Sequence, residues 1–123
     1  MGARDHRDLV AWQLAQELKR AIFGFTATPP VCRDLRFCDQ IRGASSSVSA
    51  NIAEGFYRYS HREFGRYLSI ARGSVGETQN HLQDALDRGY LTDAEFERLW
   101  SLSRRVMAAT TKLLLYLRRH PDP

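Results

Sequence analysis

Apolar residues recur at helical spacing through almost the whole chain, and no segment alternates apolar with polar residues as a half-buried strand would. The first stripe consists of Ala11, Ala15, Leu18, Ile22 and Phe25. Three further segments repeat the same period, so the sequence predicts an all-α protein. Because short connections join these amphipathic segments, they favour an antiparallel up-down four-helix bundle.

The predicted helices divide a chain of 123 residues, which suits a single domain spanning 1–123. Their approximate bounds are residues 8–27, 34–54, 60–88 and 92–119, followed by a tail at 120–123.

Local signals mark the ends of these helices. Ser60 with Glu63, and Thr92 with Glu95, have the spacing of a capping box, in which two side chains bind the free amides of a helix start. Gly55 is expected to end the second helix as a left-handed cap.

The second and third predicted helices carry a face of small residues on the side away from their apolar stripes. Each glycine inside a helix costs up to about 1 kcal/mol relative to alanine, and close approach of another helix would offset that cost. We therefore predict a homo-oligomer, and the alternative is a surface with no partner. The predicted subunit interface consists of Gly43, Ser46, Ala50, Ala53, Tyr57, Gly65, Ser69, Gly73 and Gly76.

The chain is basic, with a net charge of +4, and nearly all of its 18 basic residues are arginine. Arginine binds phosphate with two parallel hydrogen bonds and stacks on bases, so an RNA or DNA ligand is one interpretation. A solvated helix face beside core aromatic residues is the other. The predicted nucleic-acid contacts are Arg58, Arg62, Arg66, Arg104, Arg105, Arg118 and Arg119.

Catalytic motifs are missing from the sequence: it has no nucleophile elbow, no phosphate-binding glycine loop and no zinc-protease motif. His81 shares a predicted helix face with Glu77 and Asp84, a spacing more typical of a solvated face than of a metal site. Cys32 and Cys38 lack zinc-site spacing and are expected to be reduced thiols. We predict a protein that is not an enzyme and takes no cofactor or metal.

No apolar run approaches the roughly 20 residues needed to cross a bilayer, and no apolar signal segment follows the charged first eight residues. The expected location is the cytoplasm, with no membrane partner.

Glu54 stands among small residues and is expected to be a buried or half-buried partner of an arginine such as Arg58 or Arg42.

Residues 40–77, QIRGASSSVSANIAEGFYRYSHREFGRYLSIARGSVGE, resemble a family of bacterial four-helix-bundle proteins encoded in intervening sequences of 23S rRNA genes. The N-I-A-E-G block at 51–55 is the most specific part. This sequence departs from the family pattern at Gly43, where arginine is usual, at Ser49, where proline is usual, and at Thr78, where leucine is usual. We assign a structural role to five positions that match the family pattern and to the capping serine before the third helix. The matched positions are Asn51, Glu54, Gly55, Glu63 and Glu77, and the capping serine is Ser60.

The resemblance implies a cytosolic four-helix bundle that assembles as a ring-shaped pentamer and has no enzymatic activity. A related group is the accessory protein of diversity-generating retroelements, which works with a reverse transcriptase and RNA. The expected partners are therefore further copies of the chain and RNA or another nucleic acid, with a protein partner also open. The alternative is a purely structural or protein-interaction ring without a nucleic-acid ligand.

Overall fold

The computed structural model describes residues 2–122, which contain helices and turns but no strand. The four α-helices are α1 (Val10–Thr26), α2 (Leu35–Phe56), α3 (His61–Asp87) and α4 (Asp93–Arg119). Two short 3-10 turns, at His6–Asp8 and Val31–Arg33, precede α1 and α2. The all-α prediction is confirmed. Residues 1 and 123, which belong to the predicted domain, lie outside the described range.

Each α-helix packs against two neighbours, so the four helices surround one core. α1 contacts α2 and α4, and α3 also contacts α2 and α4. The completely buried side chains at the centre come from all four helices and include Leu18, Ile41, Leu68 and Val106. This is the four-helix bundle that the apolar stripes predict.

The apolar period predicts a buried stripe of α4 at Phe96, Leu99, Val106, Leu113 and Leu117, and the structure differs from it in the second half. Leu114 is buried where the sequence predicts Leu113, which is half-buried. Ser103 and Thr110 complete the stripe, and their hydroxyls donate to the carbonyls of Trp100 and Val106 at 2.7 and 2.8 Å. Because the helix itself satisfies these hydroxyls, polar residues can occupy core positions that a search for apolar residues misses.

α1 begins two residues later than predicted because a separate turn precedes it. Asp5 and Asp8 form a full capping box around the 3-10 turn, and Leu9 is then extended, with φ −77° and ψ 125°. An extended residue cannot belong to a helix, so α1 starts at Val10.

The predicted helix caps are present in different degrees. Thr92 and Glu95 form the full reciprocal box at the start of α4. At the start of α3, the Ser60 hydroxyl accepts from the Glu63 amide at 3.1 Å, and this is the only half of the box that forms. Gly89 has φ +76° after the end of α3, in the left-handed region that favours glycine.

The prediction that Gly55 is a left-handed cap is wrong. Gly55 lies inside α2, which continues to Phe56, and Gly89 is the only residue with positive φ within 2–122. A Cβ atom on Gly55 would lie 2.7 Å from Cβ of Tyr67 and 2.9 Å from Cδ1 of Phe64. Glycine at this position allows α2 and α3 to approach each other closely.

Candidate nucleic-acid interface

An open cleft of about 830 Å³ lies between the start of α3 and the end of α4. Leu114, Leu117 and Gly65 line its apolar part. A Cβ on Gly65 would lie only 3.2 Å from Cδ1 of Leu114, so the glycine permits close packing of α3 on α4. Gly65 was predicted to face another subunit, but it is buried against α4 of its own chain.

Arg62, Arg66 and Arg118 bring three positive charges to this cleft. Arg62 and Arg66 are four residues apart and therefore lie on one face of α3, and Arg118 stands in the last turn of α4. All three are exposed, and within residues 2–122 none of their guanidinium groups forms an ion pair or a hydrogen bond to another side chain. The cleft can accept an anion at several points.

Two carboxylates also line the cleft, those of Glu63 and Asp122. Asp122 belongs to the segment after α4, which returns to the first turn of α3. Its Oδ2 accepts a hydrogen bond of 2.6 Å from the His61 amide, and its Oδ1 lies 3.8 Å from His61 Nε2. His61 Nδ1 also contacts the carbonyl of His120. The tail thus places a negative charge where the dipole of α3 favours one.

Arg58 is held by neighbours beside the cleft. It donates to Oε1 of Glu54 at 2.9 Å and to the Tyr67 hydroxyl at 2.6 Å, and its guanidinium carbon lies 4.8 Å from the centre of the Tyr67 ring. The bond to Glu54 raises the pKa of Arg58 above its ordinary value. Glu54 pairs with arginine as predicted, but its side chain is 54% exposed rather than buried or half-buried.

The other predicted arginines lie apart from the cleft. Arg104 and Arg105 border a groove with Trp100 on α4, and Arg104 is about 21 Å from Arg118 along the helix axis. Arg119 is exposed in the last turn of α4. The structure therefore brings three of the predicted contacts to the α3–α4 cleft and places Arg104 and Arg105 in a second region in the middle of α4, whereas Arg58 and Arg119 line neither.

The predicted subunit face is mostly open. Gly43 and Gly73 are exposed, and a Cβ on either would have no neighbour within 4 Å. A Cβ on Gly76 would also have no neighbour within 4 Å, although Gly76 is half-buried. The remaining positions of this face on α2 and α3 are exposed at Ala50 and Ser69 and half-buried at Ser46 and Ala53.

Tyr57 contacts the N-terminal turn of its own chain. Its hydroxyl lies 3.0 Å from Nδ1 of His6 and accepts from the His6 amide at 3.4 Å. The side chain is still 61% exposed, so the contact leaves most of its surface free. The sequence gives no signal for this pairing, because the two residues are far apart in the chain.

A polar contact that the sequence did not indicate joins α2 to α3. The Ser74 hydroxyl donates to the Ser47 hydroxyl at 2.9 Å, and Nδ2 of Asn51 donates to the same Ser47 oxygen at 2.9 Å and to its carbonyl at 2.8 Å. Asn51, from the N-I-A-E-G block, thus supports the α2–α3 contact. Glu77, one turn after Ser74, is exposed, and nearby His81 packs its ring edge-on against Phe37.

The model of the 23S rRNA-intervening sequence protein family matches residues 7–112. The chain belongs to this family. The match confirms the resemblance carried by residues 40–77, and it includes Arg62 and Arg66 but ends before Arg118 and Asp122. No curated protein matches the chain.

A solved structure from Bacteroides thetaiotaomicron has the same fold. It is a protein of unknown function from the S23 ribosomal protein family, with a TM-score of 0.79 and 21% sequence identity. The alignment covers 85% of this chain and 98% of the other. Within residues 2–122, no helix is both long enough and apolar enough to span a membrane.

Proposed function

We propose that this member of the 23S rRNA-intervening sequence protein family is a non-enzymatic, oligomeric helical protein of the cytoplasm that binds structured RNA. The observation that carries the proposal is the convergence of Arg62, Arg66 and Arg118, from two helices, on one open cleft. Within residues 2–122 these guanidinium groups form no ion pair, so each can form charge-assisted hydrogen bonds to a phosphate. Contacts of this kind supply affinity for the backbone without reading its sequence.

Two tyrosines close in sequence to the cleft-lining residues of α3 support RNA as the ligand. Tyr59 is fully exposed, and the Tyr67 ring has guanidinium groups of Arg58 and Arg66 at 4.8 and 5.6 Å. Exposed aromatic rings next to arginines can stack on unpaired bases, which structured RNA presents in loops and bulges.

We propose further that the helices run up and down in antiparallel order and that copies of the bundle assemble, as the family resemblance implies, into a pentameric ring. Two contacts support the antiparallel order of α2 and α3: Asp34 with Arg88 at 3.0 Å at one end, and Gly55 packed on Tyr67 at the other. The open small face supports assembly, because within residues 2–122 no neighbour lies within 4 Å of a Cβ added at Gly43, Gly73 or Gly76, so no close packing there offsets the helix cost of these glycines. A ring would repeat the arginine cleft, so weak phosphate contacts would add as avidity.

The second candidate is a structural or protein-interaction ring without a nucleic-acid ligand. The observation in its favour is the exposure of large apolar side chains, with Leu35 at 72% and Val10 at 62%. Such residues can serve as contacts for a protein partner. In this case the arginines contribute solubility and pairing between subunits.

Titration of a fluorescein-labelled RNA hairpin at increasing salt tests the first proposal. We expect affinity to fall steeply between about 50 and 200 mM salt. The double variant Arg62→Gln/Arg66→Gln should bind more weakly, with a salt slope smaller by about 2. The matched control Arg33→Gln/Arg36→Gln removes the same charge from two exposed residues, one in the turn before α2 and one in its first turn. It should bind nearly as the wild type does. An affinity that is undetectable or independent of salt would favour the second candidate.

A further inference from the structure

We propose that the Asp122 carboxylate is an internal competitor for RNA phosphate at the α3–α4 cleft, so that the tail must leave the cleft before RNA binds fully. This inference rests on the proposed RNA-binding function and concerns the regulation of the same site. It starts from the return of residues 120–122 to the first turn of α3, where Asp122 contacts His61.

The position of the carboxylate is one that a phosphate would also take. The first turn of a helix has free amides and a partial positive charge, and both attract phosphate as they attract carboxylate. Oδ2 of Asp122 accepts from the His61 amide, and the adjacent cleft contains Arg62, Arg66 and Arg118. Asp122 lines the same cleft as the three arginines, and two anions in one cleft repel each other, so a phosphate at the arginines and the carboxylate at His61 disfavour each other.

The tail is held weakly enough to be displaced. Its polar contacts to α3 are made to His61 alone, and Asp122 forms no ion pair with any of the three arginines within the described residues. The side chains of His61 and Asp122 are both more than one-third exposed, at 35% and 39%. An RNA backbone offers several phosphates and can use the arginines that the tail leaves unpaired.

The competing residue and one of the three arginines lie beyond the family match. Residues 7–112 include Arg62 and Arg66, whereas Arg118 and Asp122 come after the matched region. The tail contact is therefore argued from this chain's own structure, not from the family pattern.

The variant Asp122→Asn tests the competition, because asparagine keeps the shape of the side chain and removes its charge. The control Asp39→Asn makes the same change on an exposed residue of α2, which lies about 25 Å along that helix from its end near the cleft. We expect Asp122→Asn to bind the labelled RNA hairpin about two- to tenfold more tightly than the wild type. Asp39→Asn should change the affinity by less than about twofold.

A second measurement follows the tail directly. In the wild type, the NMR signal of the His61 amide should move as the RNA hairpin is added, because the amide loses its hydrogen bond to Oδ2 of Asp122. The inference would be overturned if Asp122→Asn and Asp39→Asn changed the affinity equally, or if the His61 amide signal stayed in place at saturating RNA. In either case the proposed RNA binding would stand. Absence of RNA binding by the wild type and by Asp122→Asn would overturn both proposals. Binding by Asp122→Asn alone would support the competition.

Discussion

The hydroxyl of Tyr90 donates a hydrogen bond of 2.7 Å to Oδ2 of Asp34, which joins the turn after α3 to the residue that caps α2. Arg88 donates to the same oxygen at 3.0 Å, and the Phe37 amide donates to Oδ1 at 3.2 Å. These hydrogen bonds lower the pKa of Asp34 below its ordinary value of 3.8, and the bond from Tyr90 has the largest effect. The charged carboxylate therefore stabilises the folded chain.

The variant Asp34→Asn should unfold at a lower temperature than the wild type at neutral pH. Asparagine can still cap α2, so the change removes chiefly the charge that Arg88 and Tyr90 bind. Because the folded-state pKa is the lower one, the contribution of Asp34 is fully present above its ordinary pKa and is lost as the pH falls through the folded-state pKa. Thermal unfolding between neutral pH and about pH 2 should show the gap between wild type and variant closing below about pH 4.

The variant Asp39→Asn is the control for this experiment, since the Asp39 side chain is exposed and lies one turn further along the same helix. Its unfolding temperature should follow that of the wild type across the pH range. A constant gap between wild type and Asp34→Asn at all pH values would contradict the assignment, because it would show that the charge of Asp34 does not contribute.

The close approach of α2 and α3 at Gly55 predicts that alanine at this position destabilises the bundle. Forcing an extra methyl group into a packed contact typically costs about 1–3 kcal/mol, and the better helix propensity of alanine returns at most about 1 kcal/mol. Chemical denaturation of Gly55→Ala should therefore show a lower free energy of unfolding, by about 1–2 kcal/mol.

Gly24→Ala provides the matched control, because Gly24 also lies inside a helix but has open space where a Cβ would be. It should stabilise the bundle by up to about 1 kcal/mol. If Gly55→Ala were also stabilising, the interpretation of Gly55 as a close-packing residue would be wrong.

The sequence predicts well those features that depend on neighbours along the chain. The 3.6-residue period places Ile41, Val48 and Ile52 in the core, and all three are completely buried. The T-x-x-E spacing of Thr92 and Glu95 also forms the expected box. Both signals are local, because helix geometry alone brings residues three or four apart onto one face.

Features that depend on distant residues could not be predicted in the same way. A glycine near a helix end is usually a cap, and only the position of Tyr67 shows that Gly55 is a packing residue. In the same way, Arg118 is 52 positions after Arg66 in the chain, and the meeting of α3 with α4 brings both to one cleft. The separation of Arg104 from that cleft likewise becomes visible only in three dimensions.

The two cysteines should react with thiol reagents at very different rates. Cys38 is buried, and its thiol donates to the Val31 carbonyl at 3.2 Å. Burial raises the pKa of the Cys38 thiol above its ordinary value, so little of the reactive thiolate forms. Cys32 is only half-buried. In the folded protein under mildly alkaline conditions, a colorimetric thiol reagent should modify one cysteine quickly and the second only after denaturant is added.

Peptide mass spectrometry should identify the fast-reacting residue as Cys32, and the Cys32→Ser variant should have no fast phase. Rapid modification of Cys38 in the folded wild type would contradict the burial of its thiol.

The open glycine face predicts opposite effects on the bundle and on its assembly. Within residues 2–122, a Cβ added at Gly73 would have no neighbour within 4 Å, and glutamine has better helix propensity than glycine, so Gly73→Gln should not destabilise the isolated bundle. If the small face lies between subunits, as we propose, the longer side chain blocks close approach of the partner helix. Light scattering on the purified protein should then show an oligomer for the wild type and smaller species for Gly73→Gln.

Gly24→Gln makes the same replacement on α1, where an added Cβ also has open space, and it should leave the wild-type assembly unchanged. The comparison separates a specific subunit contact from a general effect of adding glutamine to a helix. A wild type that is a monomer of 14.1 kDa at micromolar concentration, or an oligomer that Gly73→Gln does not alter, would refute the placement of the subunit interface on this face. In the first case, avidity would also be lost as a source of RNA affinity, and a single cleft would have to supply all of it.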